Sequence, residues 1–183
     1  PRVLGQMEYK ALRDSSRKNI RLYTMIELLL QTGIRIGELS RLKLEDTLLS
    51  SNPKYISIGE YASNSSRKVE LNSTALQALG NYLIIRNSPK KTESKHLFHT
   101  KSGKPVLVRN IRSSINKAFR KAGIEKATVN DIRNTFIVFQ LTQGMRSDRV
   151  ADVVGHQRVS STEKYLEIVK NRKKRAITKI EPL

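Results

Sequence analysis

The sequence contains no cysteine, and this one absence removes two kinds of scaffold, a disulfide framework and a thiolate zinc site. Its three histidines stand at positions 96, 99 and 156, too scattered to suggest a metal cluster, so neither a metal nor another cofactor is expected. There is no tryptophan, and aromatic residues make up 5% of the chain, which leaves little from which to build a base-stacking surface. Long hydrophobic runs are missing as well. The longest, Met25-Ile26-Glu27-Leu28-Leu29-Leu30, is broken by a carboxylate and falls far short of the roughly 18 residues a membrane span needs. Residues 1–20 hold no apolar core of a signal peptide. A soluble chain without a membrane partner is expected. It begins at Pro1 rather than at a methionine, which reads as part of something longer.

Acidic residues are scarce in the same way. Lys and Arg number 35 against 16 Asp and Glu, a formal net charge of +19 over 183 residues. A surplus of that size points to a polyanionic partner, nucleic acid first, because each phosphate neutralised by Lys or Arg releases condensed counterions. The charge does not mark a disordered tail, since 38% of the residues are hydrophobic and supply a core. With no internal repeat or low-complexity segment and with the charge spread along the chain, a single domain is expected.

Periodicity predicts a mainly helical chain with one small antiparallel β-sheet, an α+β fold. Apolar residues at helical spacing run from about Asn19 to Thr32 and stop at Gly33; a short helix follows over Ile36 to Leu42. Tyr55–Ile58 and Arg67–Leu71 alternate and flank the turn-rich 62–66, a β-hairpin. Further helices are predicted over Ala75–Arg86, Val108–Ala122, Asp131–Gln143 and Asp148–Val154, with a last one carrying Tyr165. His96–His99 is a candidate third strand, and 87–95 a loop. That makes about seven helices.

Four features, each ordinary alone, occur in a definite order. Arg35 follows a helix stop, with Glu38 three residues on, where i, i+3 spacing brings the carboxylate beside it. Asn130-Asp131-Ile132-Arg133 sets an amide and a guanidinium on one face of a helix N-terminus, a place that favours anions. His156 comes directly after the helix-ending Gly155, and Tyr165 lies nine residues further on. Taken singly these read as a solvent-facing Arg, an N-cap, a structural His and a packing Tyr. Together, two guanidiniums, an imidazole and a phenol suit metal-free phosphodiester transesterification. The planar forks hold the nonbridging oxygens, the imidazole donates to phosphate, and the phenol attacks phosphorus.

On these residues, with Thr32-Gly33-Ile34-Arg35-Ile36-Gly37-Glu38-Leu39, Asn130-Asp131-Ile132-Arg133-Asn134 and Val153-Val154-Gly155-His156, the chain resembles the catalytic domain of the tyrosine recombinases, the phage-integrase and Xer-like group. The resemblance covers nearly its whole length. It implies a site-specific DNA recombinase or integrase in which Tyr165 forms a 3′-phosphotyrosyl bond and frees a 5′-hydroxyl. Arg35 and Arg133 would hold the scissile phosphate and His156 would assist, without metal or ATP. It further implies that 1–183 is one catalytic domain acting on double-stranded DNA as a homo-oligomer, a tetramer on its substrate, in the cytoplasm at the nucleoid. An N-terminal DNA-binding domain would be absent from this chain. The basic segment 166–183 would dock on a neighbouring protomer, with Ala176, Ile177 and Ile180 as its apolar contact.

Two departures bear on activity. The family places His, or sometimes Lys, where Asn130 stands, and often a second His where Asn134 stands. An amide can position a phosphate but cannot exchange a proton near neutral pH. The family also uses a hairpin-turn lysine as general acid; counting back from Arg67 places it near Ala62, where there is none. Lys68 is the only lysine in the hairpin and the candidate for that role, its alternative being a phosphate or solvent contact on the second strand. The runner-up reading is accordingly a catalytically impaired DNA-binding or regulatory member of the same fold. A basic RNA-binding protein and a type IB topoisomerase are disfavoured, the first by its lack of a stacking motif, the second by the compact spacing.

Overall fold

The computed structural model describes residues 1–61, 64–87 and 94–178, the last four of these as helix backbone only. The chain enters through α1 (Gln6–Ser16) and α2 (Ile20–Thr32), followed by the short α3 (Ile36–Arg41) and a 3-10 turn at Leu44–Asp46. Three strands come next, β1 (Thr47–Leu48), β2 (Tyr55–Ile58) and β3 (Arg67–Glu70). The remainder is helical: α4 (Ser73–Arg86), α5 (Val108–Lys121), α6 (Val129–Thr142), α7 (Ser147–Val154), α8 (Ser160–Glu163) and α9 (Leu166–Thr178).

Helix α2 is the axis of the molecule because it is apolar nearly all round, and every residue from Thr24 to Leu30 is buried. It packs on α4, α6 and α1. Its three enclosed polar residues are partnered: Thr24 donates to the Ala78 carbonyl (3.1 Å), Glu27 pairs with Arg13 of α1, and Thr32 donates to the Leu28 carbonyl one turn back. Asn19 caps its start through the Leu22 N–H, and Gly33 ends it in the left-handed conformation (φ 64°). A side chain is also excluded at Gly33, since a Cβ there would stand 2.3 Å from the Phe136 ring.

The sheet has the order β1-β2-β3 and is antiparallel throughout, with Ile56 opposite both Thr47 and Val69 and Ser57 opposite Lys68. Alternation along β3 buries Val69, leaves Arg67 partly covered, and exposes Lys68 and Glu70. Most of the buried apolar residues form one core around α2; a second cluster joins Phe136, Val138 and Leu141 of α6 to Val150 and Val154 of α7 and Val169 of α9.

The mixed architecture follows the sequence reading, with several local corrections. Helix α1 was not anticipated. The third strand is β1, not His96–His99, which makes only single bridges, His96 to Lys43 and His99 to Pro105. Helix α6 is capped by Thr128 and Asp131 in a capping box, so Asn130 lies inside the first turn and is not the cap. Tyr165 stands in the turn between α8 and α9, not on a helix. Ala62 and Ile180 lie outside the described residues.

Candidate active site

The site forms where the end of α2, the start of α3, strand β3 and the end of α7 converge. Gly33 turns the chain so that Arg35 becomes the first residue before α3. The Arg35 backbone N–H donates to Glu38 Oε2 (2.7 Å), and its guanidinium donates to the carbonyl of Gly155 (3.0 Å) and, more loosely, to that of Val154 (3.5 Å). From β3, Arg67 meets the same carboxylate as a fork, with both nitrogens 2.9 Å from the two Glu38 oxygens. Its Nε donates to the Val153 carbonyl at 2.8 Å. Two guanidiniums thus satisfy the last carbonyls of α7, the negative end of its dipole, and fix the residue that follows it. Gly155 must be glycine here: its φ is 69°, and a Cβ would come 2.6 Å from Arg67 Nη1.

That following residue is His156. Its Nδ1 lies 2.7 Å from Oγ1 of the buried Thr162, a contact that fixes the orientation of the ring. Burial, then the charges of Arg133, Arg35, Lys164 and Arg67, push its pKa down to about 4, so the imidazole is neutral at pH 7. Glu38 shows the opposite balance. Burial alone would raise it, but the Arg67 fork, the Arg35 N–H and both cations hold it below the usual carboxylate value.

Arg133 projects from the first turns of α6 and donates through Nη1 to the Gly33 carbonyl at 2.5 Å. Its Nη2 is enclosed and has no hydrogen-bond partner. Burial and the nearby Arg35 charge lower its pKa to about 10, which still leaves it cationic at pH 7. A buried donor without an acceptor is costly, and here it sits beside further positive charge. Such a group suits an anion. Tyr165 lies alongside, half-buried, its hydroxyl donating to Asn134 Oδ1 at 2.7 Å. Burial raises its pKa above 10 despite the Arg133 charge. Beside His156 an open cleft of about 290 Å³ is lined by Asn64, Ser66, Arg67, Gly155 and Gln157.

Of the six residues singled out from the sequence, the fold brings Arg35, Arg133, His156 and Tyr165 into one electrostatic neighbourhood. Asn130 is exposed on the first turn of α6, one i, i+3 step from Arg133. Lys68 is exposed on the face of β3 opposite Arg67 and makes none of these contacts. Arg67 and Thr162 were missed, and Asn134 was noted only as a departure from the family's usual His. For Arg67 a signal existed: in a strand whose buried positions are Val69 and its i±2 neighbours, an inward charge needs a partner. Among the described residues no group of three or more His, Asp or Glu is placed to hold a metal ion.

A cradle of guanidiniums with an unpartnered N–H, a neutral imidazole and an adjacent phenol is an arrangement suited to holding an anion beside a tyrosine. The chain belongs to the phage integrase family, whose model matches residues 2–172. It is 31% identical over 183 residues to a tyrosine recombinase of Pseudothermotoga lettingae, an alignment covering 98% of this chain and 61% of that protein. It is also 31% identical over 163 residues to the tyrosine recombinase XerD of Staphylococcus saprophyticus, covering 87% and 54% respectively. Among solved structures, the XerA recombinase matches with a TM-score of 0.86 at 26% identity, over 99% of this chain and 66% of that one. A XerH site-specific recombinase bound to its palindromic difH substrate shares the fold at TM-score 0.81 and 22% identity, over 97% of this chain and 53% of that one. The chain spans little more than half the length of the curated relatives it matches.

Proposed function

We propose that this chain is the strand-exchanging part of a site-specific DNA recombinase or integrase, with Tyr165 as nucleophile. The observation that carries this reading is the enclosed, unpartnered Nη2 of Arg133 beside Arg35, His156 and the Tyr165 hydroxyl. Arg133 and Arg35 take the nonbridging oxygens of a scissile phosphate and stabilise the charge that grows on them in the pentacoordinate state. His156, with its Nδ1 engaged by Thr162, offers its other ring nitrogen to the same oxygens. The Tyr165 oxygen bonds to phosphorus, the bond from phosphorus to the 5′-oxygen breaks, and one proton moves overall from the phenol to that oxygen. The bond energy stays in the 3′-phosphotyrosine, so rejoining to another 5′-hydroxyl needs neither ATP nor metal. Asn130, with its amide on the exposed turn, serves to position the phosphate.

Double-stranded DNA is the substrate on this reading. The assembly is a homo-oligomer, a tetramer on DNA, working in the cytoplasm at the nucleoid. An N-terminal DNA-binding domain completes the clamp, and of the basic segment 166–183 the part beyond Val169, which packs on α6 of its own chain, docks on a neighbouring protomer. Duplex DNA carrying a nick near the scissile phosphate traps the covalent step. A protein–DNA adduct is expected on a denaturing gel, and it is expected to vanish in Tyr165→Phe. An adduct that survives that substitution removes Tyr165 from the chemistry, and no adduct on verified target DNA leaves the impaired, binding-only reading, which Asn130 and the outward Lys68 favour.

Lys68 is the candidate general acid that the hairpin offers, and its exposed position on the far face of β3 supports the alternative, a phosphate or solvent contact. Lys68→Ala is therefore expected to form adduct at the parental rate on an ordinary phosphodiester and on a 5′-bridging phosphorothiolate alike. A slow phosphodiester rescued by the phosphorothiolate would restore Lys68 to the acid role, because a thiolate leaves without a proton.

A further inference from the structure

Asn134 follows Arg133 on α6, and the two ends of its amide reach different parts of the chain. Its Nδ2 donates to the Arg2 carbonyl at 3.0 Å, and its Oδ1 accepts from the Tyr165 hydroxyl at 2.7 Å. The first contact decides the second, since an amide whose NH₂ is committed to a carbonyl must turn its oxygen to the other neighbour.

The Arg2 carbonyl is itself held in place. The Arg2 guanidinium bonds Glu8 (2.7 Å) and the Glu125 carbonyl, and two residues later the Leu4 N–H donates to Thr135 Oγ1 at 2.9 Å. Thr135 and the buried Leu4 thereby pin the first residues of the chain along α6. A continuous path of hydrogen bonds runs from the N-terminal segment through Asn134 to the phenol.

An amide oxygen accepts a hydrogen bond but takes no proton near neutral pH, so this contact aims the phenol and favours its neutral form. We propose that Asn134 is a positioning residue for Tyr165, which holds the hydroxyl protonated and in one direction, and that the Arg2 carbonyl sets the amide orientation this requires. The proposal builds on the reading of Tyr165 as nucleophile, yet its core, a hydrogen bond that stabilises the neutral phenol, is open to test without DNA.

A single 3,5-difluorotyrosine in place of Tyr165 gives one fluorine resonance pair, whose shift reports phenol ionisation in the neutral pH range where the protein is folded. Asn134→Leu keeps the enclosure and removes the acceptor, so the neutral phenol loses support and the midpoint is expected to fall by about one pH unit. Asn134→Asp keeps an acceptor but adds a negative charge beside the phenolate, and the midpoint is expected to rise by about one unit. Opposite shifts are the signature, because a residue that merely stabilises the fold moves the melting temperature of both variants and the midpoint of neither. Unchanged midpoints, or shifts of the same sign in variants that melt cooperatively, overturn the proposal. In a parallel single-turnover assay on nicked DNA, Asn134→Leu is expected to slow adduct formation about tenfold with unchanged DNA affinity. A parent protein that forms no adduct while the opposite shifts are seen counts against the recombinase reading and leaves the positioning role standing.

Discussion

His156 is the residue whose protonation the fold opposes most visibly. The native imidazole takes its proton near pH 4, whereas in the unfolded chain it does so near 6.5. Between those values the unfolded state binds more protons, so stability is lost as the pH falls from 6.5 toward 4 and is unaffected by this group above 6.5. Glu8, Glu38 and Asp148, whose pKa values are lowered in the fold, add their own loss only once the pH drops below the ordinary carboxylate value. Urea denaturation at pH 7.5 and pH 5 separates the contributions: the parent is expected to weaken between the two, and His156→Gln to show a markedly smaller drop. Equal losses in both proteins would assign the effect elsewhere. At this scale the sequence order singled out Arg35, Arg133, His156 and Tyr165 as candidates, and the fold brings these four into one electrostatic neighbourhood. Arg67 escaped because its place in the site rests on Glu38, a residue far away in the chain, and Asn134, noted only as a departure from the family's His, was given no contact because its hydrogen bonds run to the Arg2 backbone and to Tyr165. The Asn134 contact leaves no trace in local pattern, whereas the inward Arg67 of β3 left the strand alternation as its one signal.

At the scale of elements, legibility follows how much apolar surface each one buries. The long stripe of α2 and the amphipathic α5, whose inward face is Ile111, Ile115, Ala118 and Phe119, are plain in the sequence. Helix α1 buries only Leu12 and Ser16 and starts from a glycine, so neither its stripe nor its cap announces it. Strand β1 is two residues long and exists through pairing with β2, which no propensity encodes. The turn that ends α2 is where element geometry and site meet. Gly33 and Gly123 both have positive φ, but a Cβ at Gly123 meets nothing within 4 Å, while one at Gly33 strikes Phe136. Gly123→Ala is expected to cost about 1 kcal/mol in chemical denaturation, the conformational strain alone. Gly33→Ala is expected to cost several kcal/mol and to slow adduct formation, because Arg133 is tied to the Gly33 carbonyl. Equal costs at the two glycines would show that the Phe136 contact relaxes freely.

The whole molecule carries +19, and its site concentrates that surplus: Arg35, Arg67 and Arg133 converge on a single carboxylate, Glu38. Like charges held together weaken the fold until an anion enters among them, and an anion that binds only the folded state stabilises it by mass action. Sulfate is therefore expected to raise the melting temperature by several degrees over sodium chloride of equal ionic strength, and Arg35→Ala to lose most of that difference. A rise that is the same for both proteins would reduce the effect to general salting.

The cradle also settles what the site can distinguish. On the proposed chemistry, the unpartnered Nη2 of Arg133 and the guanidinium of Arg35 would meet a phosphodiester by its nonbridging oxygens, which are alike before cleavage and after rejoining. A group held equally at the start and the end gives the reaction no preferred direction, since only differential binding shifts an equilibrium. On that chemistry the tyrosine and its guanidiniums would be a reversible hinge in the DNA strand. Whether exchange runs forward or back has to be decided by surfaces that read which duplexes are joined, well away from the phosphate itself.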